Sequence, residues 1–556
     1  MKTTKGINRR LKAKCNMKLS SPLLSEELLV PPASSWISGY PNPPISSAPR
    51  TAQLQPGKKI VVTRQWPYER SLDLYMGWCL KDLGKPQRKD EDGKPQPHYV
   101  LSWGTDDIDG SLAALSYPAS HHGLMISVFL RYSVYTGNTS WFSRAVQLGD
   151  WNIAHSTPAN CKYPYLPYSS YGANDLSDSD RFARNVVMLD KAPYMGLAYL
   201  DLYDFTGQEK YKDAALRMAG TLLICQLPDG RWMQKVNFLS GQIAVPYTSN
   251  VILMIRFFRR LAELTGEQEC REAADRAWRW LLANPVQNMD WKAGYEDWTD
   301  EELKNGFQWW DTALTVEELL GRSNEDSSYV GLAEKQLPWI EKTFGVWEPA
   351  LAGVSDAESM KDPAFPLAWK GTAPNFKEST IFVPTSECSL RWGLLNTLFY
   401  DATGRKDSKY LEYAVGALNA MTYHHSADGR PPTYLMTTNA RKQCYYSLCC
   451  FPVAYTLAIF AIMPQLCLSG ENHILSFTSA PNEIVYAARR LAYCTRAAGV
   501  EIIKTASAVL SVRLDGKDLP GKDRPAAEEK NGWIYNTANG SLRVWHGPGT
   551  VEVLLR

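Results

Sequence analysis

Carboxylates set beside aromatic rings recur along this 556-residue chain, and that pairing suits the making or breaking of a sugar linkage. Trp103-Gly104-Thr105-Asp106-Asp107-Ile108-Asp109-Gly110 precedes a helix that starts near His121 and His122. Glu296, Asp297 and Asp300 follow Trp291; Asp311 follows Trp309 and Trp310; Glu387 opens a later helix. Glycoside cleavage uses a proton donor on one side of the scissile bond and a carboxylate or other nucleophile on the other. Flat amphipathic rings suit the apolar faces of sugars, which makes Trp103, Asp107, His122, Trp309, Trp310 and Tyr446 candidates for substrate contact. Spacing alone selects no pair of acids, and each single acid also has an ordinary role as a helix N-cap or a solvated loop charge.

A second chemistry is open to the same chain. β-Elimination on a uronic acid polymer needs a base such as Tyr or His at the carbon next to the sugar's carboxylate, and a cationic or amide group to neutralise that carboxylate. His121-His122, His424-His425, Tyr445-Tyr446 and Arg441 supply those types, and the chain has eight His in all. A third class is a toroid that binds a glycan without turning it over.

The elements that must hold these residues announce themselves by a repeated phrase. An apolar helical run ends in Thr-Gly at Thr136-Gly137, Thr206-Gly207, Thr265-Gly266 and Thr403-Gly404, and a second helix follows within a few residues. Glycine closes a helix by taking the left-handed conformation, so each phrase predicts the tip of a helical hairpin. The last interval is about twice the others, and Leu319-Leu320-Gly321 followed by a run from about 328 to 343 fills it. A helix at about 68 to 83 and an apolar helix after Cys449 bring the total to about six hairpins. Neighbouring repeats bury one another's apolar faces, which predicts a closed ring. Connections inside hairpins are short, whereas 156–190, 284–308, 345–385 and 426–443 are long. All of the long ones emerge on one rim, the expected functional face.

From about Asn472 short alternating runs, such as 473–477, 509–514 and 551–555, replace the helical pattern and predict a small β domain over one side of the ring. The division expected is an extended arm over 1–65 with an edge strand near Val61, a toroid over 66–470 and a β-sandwich-like domain over 471–556. Composition fits a large globular chain: 45% hydrophobic, 21% charged, net charge +2. That charge gives no reason to expect nucleic acid or an anionic membrane as a partner. Cys449 to Leu468 is uncharged, but Pro452, Pro464 and Gln465 argue for a buried inner helix over a membrane span. Eleven dispersed Cys favour thiols, and no apolar stretch of signal-peptide length follows the basic N-terminus. Both readings point to the cytoplasm. Oligomeric state is not legible.

The hairpin ring, with phrases such as Ala192-Pro193-Tyr194-Met195-Gly196-Leu197-Ala198-Tyr199-Leu200, resembles the six-hairpin glycosidase superfamily of (α/α)6 toroids over about residues 66 to 468. That superfamily holds hydrolases of unsaturated uronides, other glycosidases and, on related toroids, polysaccharide lyases. A more local resemblance lies in Ser386-Glu387-Cys388, Cys444 and the pair Cys449-Cys450, similar in order and approximate spacing to the cysteine-dependent β-L-arabinofuranosidases. It implies zinc held by Glu387, Cys388, Cys449 and Cys450, no organic cofactor, and Cys449 as nucleophile. A rim carboxylate would then act as general acid, and Asp311 is the best placed because the rings beside it favour the neutral acid. The family has one residue between its Glu and Cys where Glu387 and Cys388 are adjacent, and Phe451-Pro452 replaces its usual Pro-Pro-Asn. The resulting expectation is an (α/α)6 toroid with a small C-terminal β domain, most simply a glycoside hydrolase of plant or microbial polysaccharide.

Overall fold

A computed structural model describes residues 64–82, 101–102, 113–169, 171–172, 185–248, 251–292, 307–346, 375–377, 384–425, 450–467, 470–521 and 531–556, apart from single positions at 65, 117, 247, 249–250, 308 and 423. The expected edge strand near Val61 lies outside these residues.

Among the described residues twelve α-helices form the ring: α1 (Tyr68–Asp82), α2 (Gly123–Thr136), α3 (Thr139–Ala154), α4 (Ala192–Thr206), α5 (Glu209–Ile224), α6 (Val251–Thr265), α7 (Gln268–Leu281), α8 (Trp309–Gly321), α9 (Ser328–Phe344), α10 (Ser386–Ala402), α11 (Ser408–Met421) and α12 (Cys450–Ile462). The even-numbered helices pack in the cyclic order α2, α4, α6, α8, α10, α12 and back to α2, so the inner wall is closed. Each is followed by its outer partner except α12, whose outer partner is α1. Tyr68 donates to Asn419 Oδ1 at 2.7 Å and Tyr132 to Asp73 Oδ1 at 2.6 Å, tying α1 to α11 and α2. The fold is therefore an (α/α)6 toroid.

Sequence dictates which helix goes where. Inner helices are apolar almost all round; α10 is buried at every position from Ser386 to Thr397. Outer helices bury one stripe, as α7 does with Cys270, Ala273, Ala274, Ala277, Trp278 and Leu281. At the tips Gly137, Gly207 and Gly266 take φ of 73°, 66° and 79°. The Thr before each has its own task. Thr136, Thr206 and Thr265 donate to the carbonyl four residues back at 2.6–2.7 Å and accept the N–H two residues on, so one hydroxyl bridges the helix end. The Thr403-Gly404 tip is one residue longer, with Arg405 also left-handed at φ 58°. The α8–α9 tip turns without a left-handed Gly, held instead by Arg322 on Glu325 at 2.6 Å.

The long connections carry three small antiparallel sheets: β1 (Leu101–Ser102), β2 (Ala113–Ser116) and β3 (Tyr171–Gly172); β4 (Val186–Met188), β5 (Lys235–Asn237) and β6 (Ile243–Val245); β7 (Gly345–Val346), β8 (Asn375–Lys377) and β9 (Pro384–Thr385). After α12, which ends at a 3₁₀ turn over Pro464–Leu466, come β10 (His473–Phe477), β11 (Asn482–Ala487), β12 (Arg490–Thr495), β13 (Gly499–Lys504), β14 (Val509–Leu514), β15 (Lys517–Asp518), β16 (Gly532–Asn536), β17 (Ser541–His546) and β18 (Gly549–Leu555). They form two antiparallel sheets, ordered β10-β13-β17-β16 and β11-β12-β18-β14-β15. These sheets cover the hairpin tips. Tyr486 donates to the Val134 carbonyl at 2.6 Å, His473 stacks on Tyr135 at 4.1 Å, and Phe477 meets Phe205 edge-on at 5.5 Å. Among the described residues no helix is long and apolar enough to cross a membrane, and α12 is a 13-residue inner helix.

Candidate active site at the axis

Because α2, α4, α6, α8 and α10 run from the connections between hairpins to a tip, and α12 runs toward the C-terminal sheets that cover those tips, all six N-termini face the rim that carries the long connections. Those ends bear unpaired N–H groups and partial positive charge, which favours acidic side chains in first turns. Asp311 occupies the first turn of α8 and Glu387 that of α10, whose N-cap Thr385 accepts the Cys388 N–H at 3.3 Å. Both acids are buried, Asp311 8% and Glu387 4% exposed. A buried carboxylate at a helix start in a neighbouring pair of inner helices is an arrangement that general acid–base chemistry can use. Just before α4, Asp190 and the N-cap Lys191 are buried and 3.8 Å apart, ahead of Pro193 in the first turn.

One turn deeper the axis holds Arg391 of α10. It is 5% exposed, and its Cζ lies 4.5 Å from the Trp310 ring and 4.7 Å from the Tyr455 ring. Phe451 completes the cluster, 5.3 Å from Trp310 and stacked on Tyr455 at 5.8 Å. Arg391 Nε and Nη1 and the Tyr455 hydroxyl are buried without hydrogen-bond partners. Burial pushes the Tyr455 phenol well above its ordinary pKa, with Arg391 opposing and Glu387 adding to the rise. Below this level Arg256 of α6 binds Glu318 at 2.8 Å and Glu317 at 3.2 Å. A cavity of about 350 Å³ continues from there to the tips, between Leu394, Leu398, Leu457 and Ile462 and the inner edge of β10. Sequence reading passed over Arg391 and Tyr455. The available signal was a single cation, Arg391, in an inner helix otherwise free of basic residues.

The other expected residues are spread. Trp310 is at the axis, 7% exposed. Trp309 is fully buried and turns outward to meet Phe344 of α9 edge-on at 5.6 Å, between the two walls. His122 is likewise inside a hairpin: its Nδ1 is 3.0 Å from Asn152 Nδ2 of α3 and its ring meets Trp151. Burial, reinforced by His121, lowers its pKa to about 3, so it is neutral. His424 is lowered to about 3 in the same way, and His425 packs against Tyr75 and Trp66 near α1, away from Arg391. Two aromatics of the long connections fasten those loops. Trp291 donates to Gln336 at 3.0 Å and Tyr168 packs on Phe238, because a buried indole or phenol needs both apolar cover and a partner for its polar atom.

Trp103, Asp107, Tyr446 and Cys449 lie outside the described residues, and for Cys450 only the helical backbone is described. Of the thiolate set, Glu387 and Cys388 are both buried on the first turn of α10. Successive helical positions point about 100° apart, so this adjacent pair could reach one metal ion only at a helix end, which is where both stand. Among the described residues no group of three His, Cys, Asp or Glu side chains is placed to hold a metal ion. Cys161, Cys225, Cys270 and Cys494 are thiols outside any disulfide.

No family model matches the chain, and no curated protein matches it. Solved structures do. A D-mannose isomerase matches with a TM-score of 0.51 at 13% identity, covering 71% of this chain and 97% of its own. A family 76 α-mannanase from Bacteroides thetaiotaomicron gives 0.49 at 14% identity, with 72% and 97% covered. A cellobiose 2-epimerase from Spirochaeta thermophila gives 0.48 at 12% identity, with 72% and 96% covered. The likeness to the isomerase is one of fold.

Proposed function

We propose that this chain is a carbohydrate-active enzyme that hydrolyses a glycosidic bond at the rim end of the toroid axis. The observation that supports the reading is that two buried acids, Asp311 and Glu387, occupy the first turns of adjacent inner helices, one of which also carries Trp310 of the Trp310–Phe451–Tyr455 ring cluster. In this reading Asp311 donates the proton to the leaving oxygen and Glu387 is the carboxylate on the other face of the sugar, acting as base or nucleophile. Trp310 offers the apolar platform and excludes water from the pair. Sugar enzymes of several reaction types share the toroid, so the fold by itself selects none of them.

A panel of aryl glycosides and plant and microbial oligosaccharides tests the reading, with products analysed for new reducing ends, for the ultraviolet absorbance of an unsaturated uronide, and for aldose–ketose or epimer conversion. New reducing ends without that absorbance are expected. Absorbance would assign the chemistry to elimination, and conversion without cleavage to isomerisation. Either would displace hydrolysis.

A further inference from the structure

Among the described residues, Arg391 is an inner-wall cation with two buried donors left unpaired. A guanidinium carries five N–H donors and stays protonated at any ordinary pH. Burying it without hydrogen-bonded counter-charge is costly, and a buried cation is normally paired. Here Nε and Nη1 have no hydrogen-bond partner although the side chain is 95% buried. Glu387, one turn earlier on the same helix, is not hydrogen-bonded to either atom. The Glu317 and Glu318 carboxylates at the next level are committed to Arg256. What Arg391 does have is two aromatic rings within 4.7 Å of its Cζ. Contacts of that kind hold a guanidinium by its π face and leave its N–H edge open to a ligand. Such an edge matches a planar or near-planar oxyanion through two parallel hydrogen bonds.

From this we infer that the sugar bound at the axis carries an anionic substituent, a carboxylate or a sulfate, and that Arg391 receives it between Trp310 and Tyr455. The inference rests on the sugar-processing reading of this site and adds the substrate class. It assigns Arg391 a binding role and no part in bond cleavage. The neutral phenol of Tyr455, buried beside the guanidinium, is a further donor to the same oxyanion.

The test is equilibrium binding, read by tryptophan fluorescence or calorimetry, of glucuronate, galacturonate and glucose 6-sulfate against neutral glucose and galactose, on wild type, Arg391→Met and Arg391→Lys. At least one anionic sugar is expected to bind wild type roughly 10-fold or more tightly than its neutral counterpart, a hydrogen-bonded charge being worth that much. Uronates and the sulfate identify which anion it is. Arg391→Met should lose that preference and melt no lower than wild type, since it removes an unpaired buried charge at similar volume. Arg391→Lys should keep part of it. Equal binding of neutral and anionic sugars, no binding of any of the five, unchanged preference in Arg391→Met, or failure of Arg391→Met to fold would each overturn the inference, the last by making the guanidinium a structural part. Binding needs no turnover, so the two readings fail separately. Anion-selective binding with no cleavage of any glycoside would sink the hydrolase reading alone, and cleavage confined to neutral sugars would sink this inference alone.

Discussion

Asp311 and Glu387 owe their placement to a local rule that has nothing to do with sugars: acids stabilise helix starts. What sets them apart is burial, since a first-turn acid on an outer helix such as Glu209 is exposed and pairs with Lys212. Sequence reading singled out both acids and Trp310 because each sits at the start of an apolar helix, where the structure finds them buried. Trp309 and His122 pack between the walls, against Phe344 and Asn152, because which way a residue at a helix start faces is not legible from spacing. One position points to the axis and the next to the outer wall, and that rotation is fixed by packing around the ring. Arg391 escaped notice because a single basic residue inside an apolar helix carries no spacing to recognise. At this scale the neutral histidines also make a prediction. His122 and His424 have pKa values lowered to about 3 by burial, against 6.5 for an unfolded chain. The unfolded state therefore binds more protons between those values. Their contribution is fully present above about pH 6.5 and is lost progressively as the pH falls toward about 3. Replacing His122 by Asn should flatten the acid limb of melting temperature against pH; an unchanged limb would show that His122 does not contribute to it.

The helices were the most legible level. Four Thr-Gly tips, the degenerate tip near Gly321 and the helices that close the ring were all marked by apolar runs and turn residues, because a hairpin's signals are local. Strands β11 and β12 were not among the runs singled out: β12 opens on an exposed Arg490 paired to Glu552 and then buries three successive residues, so its alternation is weak. Close contact between inner helices depends on glycines that no local signal explains. A Cβ on Gly123 would lie 2.6 Å from the Tyr194 carbonyl carbon, a backbone atom that cannot rotate away. Gly220, on the exposed face of α5, has nothing within 4 Å. Gly123→Ala is therefore expected to destabilise by about 1–3 kcal/mol through overpacking. Gly220→Ala should stabilise by about 0.5–1 kcal/mol through helix propensity. Denaturant midpoints check both, and equal shifts of one sign would contradict the packing described for α2 and α4.

Taken as a whole, the molecule has two unlike ends. The C-terminal sheets cover the hairpin tips, and the long connections and the acids lie at the other end of the axis. Stability of the covering end carries its own pH signature. His546 and Glu501 are fully buried and bonded to each other, with Ser479 donating to Glu501 at 2.5 Å and Tyr493 at 3.1 Å. Burial alone would lower the His546 pKa, but the Glu501 hydrogen bond and charge, helped by the Gly547 carbonyl, raise it above 6.5. The native state then holds a proton that the unfolded chain has released. Its stabilisation is complete below about pH 6.5 and declines as the pH rises through the native value. Glu501→Gln should remove that alkaline decline, and a decline that persists in the variant would place its source elsewhere. The account as a whole stands on the acids at the opposite end. Its most direct test is to compare Asp311→Asn and Glu387→Gln with wild type on whichever glycoside the panel identifies, measuring ligand affinity and the rate of new reducing ends on the same samples. Loss of a general acid or base of this kind lowers turnover by about 10²–10⁴-fold. We predict losses of that size in both variants with affinity held within a few-fold; wild-type turnover in either one would contradict the assignment of these two carboxylates to catalysis.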